Sequence, residues 1–104
     1  MDFEQDVREL LDRIQEKEKK RESQLELFHD IIISVLQRTQ SKRASYRLER
    51  KSDPSGTVFW DISINKVKFI IFDEELIEVI NTASVDLTYY VESKTLEFLR
   101  KELE

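Results

Sequence analysis

The chain has 104 residues, of which 38% are charged, and 17 Lys and Arg against 22 Asp and Glu give a net charge of −5 at pH 7. This length predicts one folding domain, and the supply of aromatic and β-branched residues excludes a disordered chain. There is no cysteine, which excludes a disulfide framework, a thiolate metal site and a cysteine nucleophile.

The N-terminal residues are acidic and amphipathic, and they lack the apolar core of a signal peptide. No apolar run approaches the ~20 residues that a transmembrane helix needs. We therefore expect a soluble, cytoplasmic protein that makes no contact with a membrane.

Residues 1–40 contain neither Gly nor Pro and predict one long helix. Asp2 suits its N-cap, and Glu4 and Asp6 place negative charge at the end of the helix where its dipole favours such charge. At ~1.5 Å per residue the helix would be ~57 Å long, whereas a compact chain of this size has a radius of gyration of only ~13 Å. The helix is too long to lie wholly on its own domain.

Two apolar patches occupy this helix, separated by the polar run of residues 15–24. The first, which we call the seam, has the 4-3-4 spacing of coiled-coil a and d positions and consists of Phe3, Val7, Leu10 and Ile14. Leu11 widens it. The second consists of Leu25, Phe28, Ile32, Val35 and Leu36. Ile14 and Leu25 are about three helical turns apart, so both patches face the same side of a continuous helix.

Three interpretations of the seam follow from this pattern. The first half of the helix could project and pack on another chain, it could fold back as a hairpin broken near residues 19–22, or the seam could belong to an intramolecular core. A break normally needs Gly, Pro or Asn, and none is present there. We favour projection, with residues 1–40 as the dimer or partner element of a homodimer.

Residues 41–104 predict an antiparallel sheet of about four strands with a short C-terminal helix, so the chain as a whole is α+β. Ala44, Tyr46 and Leu48 alternate with polar residues and predict the first strand. A type I turn should then start at Asp53, with Pro54 at its second position and the only glycine, Gly56, at its fourth.

The next two strands should form a hairpin about Asn65 and Lys66. Alternating apolar residues on each side of this turn lie opposite one another, which gives the pairs Ile64 with Val67, Ile62 with Phe69 and Trp60 with Ile71. All three pairs fall on one face of the sheet. The pattern therefore predicts the register of the hairpin and a buried Trp60.

The C-terminal third is less regular. Residues 73–81 suit a short helix, with a strand as the alternative. The alternation of Val85, Leu87, Tyr89 and Val91 predicts a fourth strand. Ser93 should then cap a last helix over residues 94–103 that buries three leucines, namely Leu96, Leu99 and Leu103.

The sequence contains no motif for catalysis. A single glycine excludes a phosphate-binding loop, and the only histidine, His29, has no second histidine or nucleophile motif nearby, so we expect it to be structural. We expect no catalytic residue, no metal and no cofactor. The predicted function is a small non-enzymatic protein–protein interaction module: a homodimeric adaptor, a chaperone-like factor or an inhibitor, with a protein partner that the sequence does not identify.

Charge is distributed unevenly along the chain. Residues 38–51 carry six basic residues and one acidic residue, a balance of +5, whereas the rest carries 11 basic and 21 acidic residues, a balance of −10. We call the six the basic strip: Arg38, Lys42, Arg43, Arg47, Arg50 and Lys51. It suits phosphate contacts, a charge-protected edge strand or docking to an acidic protein surface. A nucleic-acid-binding regulator is therefore the alternative function, disfavoured by the negative net charge.

Overall fold

The longest element of the computed structural model, which describes residues 2–82 and 85–103, is the helix α1 (Phe3–Thr39). Its N-cap is Asp2, whose side chain accepts a hydrogen bond from the backbone N–H of Glu4 at 3.1 Å. The helix runs without interruption through residues 19–22, so the prediction of one long helix is confirmed and the hairpin alternative is wrong. Met1, Ala83, Ser84 and Glu104, which belong to the predicted segments 1–40 and 41–104, lie outside the described residues.

The C-terminal half of α1 packs on a three-stranded antiparallel sheet in the order β1 (Tyr46–Ser52), β2 (Val58–Ile64) and β3 (Val67–Phe72). The second apolar patch of the helix is buried in full, at Leu25, Phe28, Ile32, Val35 and Leu36. These side chains meet the inner face of the sheet. The packing of this half fixes where the rest of α1 leaves the domain.

The hairpin of β2 and β3 has the predicted register, with Ile64 opposite Val67, Ile62 opposite Phe69 and Trp60 opposite Ile71. Asn65 at the turn has a φ of 54°, a left-handed conformation that asparagine tolerates better than most residues. Trp60 is fully buried, which confirms the prediction of its place in the core.

The turn before β2 is also as predicted. The backbone N–H of Gly56 donates to the carbonyl of Asp53 at 3.0 Å, and Gly56 has a positive φ of 89°. The carboxylate of Asp53 accepts hydrogen bonds from the backbone N–H groups of Ser55 and Thr57. These bonds support the turn and lower the pKa of Asp53, with the side-chain hydroxyl of Ser55 as the largest contribution.

Two helices follow the sheet, α2 (Asp73–Thr82) and α3 (Leu87–Lys101). The first confirms the preference for helix at residues 73–81. The fourth strand and the helix start at Ser93 are wrong, because α3 begins at Leu87 and its N-cap is Asp86, whose side chain accepts from the backbone N–H of Thr88 at 2.8 Å.

The fourth strand was predicted wrongly because the same segment shows both the two-residue period of a strand and the four-residue spacing of a helix. Leu87, Val91 and Thr95 are four residues apart, as the inward face of a helix requires, and Val91 and Thr95 are buried. The burial of the last leucines was also predicted wrongly, since Leu96 is 49% exposed and Leu103 is 89% exposed. Phe98 instead stacks on Phe69, with ring centroids 5.1 Å apart.

Candidate interaction surfaces

The N-terminal half of α1 projects from the domain. We call residues 3–20 the arm; the longest dimension of the molecule is 66 Å and its radius of gyration is 17.9 Å, well above the ~13 Å of a compact chain of this length. Every residue of the arm is exposed except Val7, which is half-buried. The arm therefore leaves the domain as a bare helix.

The seam lies on this bare helix with its apolar side chains in solvent. Phe3 is 79% exposed, Leu10 57% and Ile14 52%. Such exposure shows that the seam is not part of an intramolecular core, so that third interpretation is wrong. A row of unpartnered large apolar side chains is typical of a surface that another molecule covers.

The seam points to the same side as the domain. Ile14 is about three turns before Leu25, which is buried against the sheet. The surface between them belongs to α1 alone and is open to solvent, with Ile14, Arg21 and Gln24 along it. The domain begins beyond this surface, so a molecule seated on the seam would meet the domain at one end.

Two ion pairs mark the position where the domain begins. Arg21 contacts the carboxylate of Asp73 at 3.2 Å and the carbonyl of Gly56 at 3.4 Å. At the next residue, both carboxylate oxygens of Glu22 accept hydrogen bonds from the guanidinium of Arg50 at 3.0 Å. The hydrogen bond between them lowers the pKa of Glu22 and raises that of Arg50.

The basic strip is divided among several parts of the fold. Arg38 lies near the C-terminal end of α1 and pairs with Glu92 of α3 at 2.6 Å, and Arg50 pairs with Glu22 on the inner side of β1. Lys42 and Arg43 precede β1. The remaining two, Arg47 and Lys51, share the outer face of β1. The structure therefore does not bring the six residues together as one continuous surface.

The outer face of the sheet has mixed charge. Lys51 donates to Asp61 at 3.1 Å and lies 3.5 Å from Glu49, and the hydrogen bond to Asp61 is the main cause of a raised pKa at Lys51. These three residues line a shallow cavity of about 140 Å³ together with Arg47 and Lys68. At the other end of this face Phe59 and Phe72 pack at 5.9 Å between ring centroids, and Phe72 remains 41% exposed.

The sole histidine has a structural contact. The indole N–H of Trp60 donates to Nδ1 of His29 at 3.2 Å, which satisfies the polar atom of a fully buried tryptophan. Across the residues that the structure describes, no group of three or more His, Asp or Glu side chains is placed to hold a metal ion.

A polar cluster that the sequence did not reveal joins α2 to α3. The carboxylate of Glu75 accepts hydrogen bonds from the hydroxyl of Tyr90, from the ammonium of Lys94 and from the backbone N–H of Phe72. Burial raises the pKa of Glu75, but these hydrogen bonds together lower it below its ordinary value of 4.5. Burial and the same carboxylate raise the pKa of Tyr90 well above its usual range.

This cluster predicts a contribution to acid stability. Because the pKa of Glu75 is lower in the folded state than in the unfolded state, its stabilising effect is complete above pH ~4.5 and disappears as the pH falls through the folded value. We expect Glu75→Gln to reduce the pH dependence of the free energy of unfolding between about pH 5 and 3. Urea unfolding of both proteins at several pH values measures this, with the exposed Glu78→Gln as the control. Equal slopes for Glu75→Gln and the parent would contradict the prediction.

Sequence reasoning missed both this cluster and the Arg21–Asp73 pair. Arg21 and Asp73 are 52 positions apart, and in the sequence each is one of many charged residues. A weak signal was available for Glu75: residues 73–75 supply the acidic first turn of α2, where a carboxylate can reach back to a free backbone N–H.

None of the helices in the described ranges combines the length and the apolar character that crossing a membrane requires. Comparison of the chain with protein-family models, with curated proteins and with solved structures finds no match. The function is therefore inferred from the surfaces of this chain.

Proposed function

We propose that this protein is a small non-enzymatic protein–protein interaction module that forms a homodimer through the seam of its arm. The observation that carries the proposal is the exposure of Phe3, Leu10 and Ile14 on a helix that has left its domain. Covering such a stripe lowers the free energy by about 25 cal/mol for each Å² of apolar surface that is removed from water.

The helix supplies further support for this assembly. An isolated helix of fewer than ~12–15 residues is marginal in water, but the arm continues a helix whose other half is anchored in the core by Phe28 and Ile32. The arm therefore needs no separate nucleation. Pairing with a second seam would stabilise it further by covering the a and d positions.

The sheets of the dimer would present a second binding surface to a protein partner, as in an adaptor, a chaperone-like factor or an inhibitor. The exposed edge around Phe72 supports this role, since 41% of its surface is in solvent. A chain with no cysteine and 38% charged residues also suits the cytoplasm, which we propose as its location.

The dimer is tested by placing two charges in the seam. We expect Val7→Asp combined with Leu10→Asp to give a folded monomer, because each carboxylate would be buried without a partner in the pair of helices. Sedimentation equilibrium should give twice 12.5 kDa for the parent protein and 12.5 kDa for the variant. Far-UV circular dichroism checks that the domain is still folded.

The matched control is Gln5→Asp combined with Gln15→Asp, which adds the same two charges to exposed positions outside the seam. It should remain dimeric. A parent protein that stays monomeric at high micromolar concentration would reject the homodimer.

The alternative function, nucleic-acid binding through the basic strip, is supported less well. Arg38, Arg50 and Lys51 already form ion pairs with carboxylates of the same chain, which leaves Lys42, Arg43 and Arg47 as the main candidates for phosphate contacts. Salt-sensitive binding of a generic duplex that Arg43→Glu with Arg47→Glu abolishes would make nucleic acid the first function.

A further inference from the structure

We infer that the two arms of the dimer run antiparallel, with Asp6 of each copy paired with Arg13 of the other. This inference rests on the proposed homodimer and adds the orientation of its partner. It comes from three separate observations: the charged residues that follow the seam, the position of the domain and the charges beside the seam.

The seam residues match in full when the helices run in opposite directions. In the heptad assignment Val7 and Ile14 occupy a positions, and Phe3 and Leu10 occupy d positions. If Phe3 of one copy lies opposite Ile14 of the other, Val7 lies opposite Leu10, and every layer joins an a residue to a d residue. All eight seam side chains of the pair are then covered, with none facing a charged residue; a parallel pair covers the same eight, so the residues outside the seam select the orientation.

The next a and d positions oppose a parallel pair. They are Lys17 and Arg21, and in a parallel pair each would face its own copy, so like charges would meet in the seam. In the antiparallel register both residues lie beyond the end of the second arm. Arg21 is then left with Asp73 and Gly56, its contacts within the domain.

The position of the domain leads to the same orientation. The seam faces the side of α1 on which Leu25 and Phe28 are buried by the sheet. A second helix running parallel along that side would continue past Arg21 into space that the domain occupies. An antiparallel helix ends opposite Ile14, before the exposed residues Lys17 and Arg21, and its own domain lies beyond the far end of the arm.

Asp6 and Arg13 both lie beside an opposite charge only in the antiparallel pair. Asp6 and Arg13 occupy g positions beside the seam, are exposed, and form no ion pair among the described residues of their own chain. In the antiparallel register the g positions of the two helices adjoin, so the dimer has two pairs of Asp6 with Arg13. In a parallel pair Arg13 would lie beside Glu18, which has the opposite charge, but Asp6 would lie beside Leu11 and have no partner.

A charge exchange followed by sedimentation equilibrium distinguishes the two orientations. We expect Asp6→Arg and Arg13→Asp each to weaken the dimer on the order of tenfold, because two attractive pairs become repulsive. The combination of both changes should restore the parental dissociation constant. Glu9→Arg and Arg8→Asp are the matched controls, since they change the net charge equally at exposed positions away from the seam.

Small-angle X-ray scattering measures the shape directly. Two molecules of 66 Å that overlap along ~18 Å of arm, from Phe3 to Ile14, would span about 115 Å, at ~1.5 Å per residue, whereas a parallel pair would stay close to the 66 Å of one chain. Three results together would overturn the antiparallel inference and leave the homodimer intact. Asp6→Arg would leave the dissociation constant unchanged, the double variant would bind no more tightly than Arg13→Asp alone, and the dimer would span close to 66 Å. A monomeric parent protein overturns both.

Discussion

Replacement of Trp60 by alanine is expected to lower the free energy of unfolding by about 3–5 kcal/mol, the usual cost of truncating a buried tryptophan. Trp60 has no exposed surface and meets the edge of the Phe28 ring at 6.1 Å between centroids. The indole therefore joins the central strand to the long helix, and its removal would leave a cavity between them. A domain of this size has only about 5–15 kcal/mol of stability in total.

Urea unfolding followed by far-UV circular dichroism measures this loss, since the variant has no tryptophan for fluorescence. Trp60→Phe is the matched control: it keeps most of the apolar volume and removes the hydrogen bond to Nδ1 of His29, so its cost should be clearly smaller. An alanine variant within about 1 kcal/mol of the parent would show that this site has little energetic weight.

Replacement of Arg21 by methionine should cost about 2 kcal/mol, because it would leave a buried carboxylate without a counter-charge. The side chain of Asp73 is 3% exposed, and one of its oxygens, Oδ1, has no hydrogen-bond partner in the described part of the chain. Arg21 is 49% exposed on its other side, so water reduces the penalty below that of a fully buried pair.

Adding Asp73→Asn to Arg21→Met tests this explanation. The amide carries no charge, so the double variant should be more stable than Arg21→Met alone, as a chemical unfolding curve would show. Lys20→Met is the control, since it removes an adjacent positive charge that forms no ion pair among the described residues. Additive losses in the double variant would mean that the charge of Asp73 is not what Arg21 compensates.

The elements that the sequence predicted correctly are those with a single dominant signal. In the hairpin the alternation of Trp60, Ile62 and Ile64 and the turn at Asn65 both require the same register. The long helix was predictable because residues 1–40 lack any helix-breaking residue. In both cases neighbours in sequence carry the whole of the evidence.

The fourth strand failed because its signals conflicted. Residues 88–91 are Thr, Tyr, Tyr and Val, all of which favour strands, yet the fold buries Val91 and Thr95 on one helical face. The stacking of Phe98 on Phe69 and the N-cap at Asp86 favour the helix over the strand. Local propensity is the weaker influence where a packed core can select the other structure.

The sequence predicted one of the candidate interaction surfaces better than the other. The length of the helix favoured projection of the seam from its own domain, and the structure leaves Phe3, Leu10 and Ile14 in solvent. The basic strip was contiguous only in sequence, because successive residues of β1 alternate between the two faces of the sheet and send Arg50 to the opposite side from Lys51. Pairs such as Arg21 with Asp73 depend on the folded topology and left no trace in the sequence.

The uninterrupted length of α1 has a consequence for any larger assembly. In an antiparallel dimer joined by its arms the two sheets would stand at opposite ends of a stiff rod, because no Gly or Pro allows the helix to bend sharply. Such a dimer is bivalent with a fixed spacing. A target that repeats its binding site at that spacing would gain avidity through high effective concentration, whereas a compact target with one site would engage only one sheet at a time.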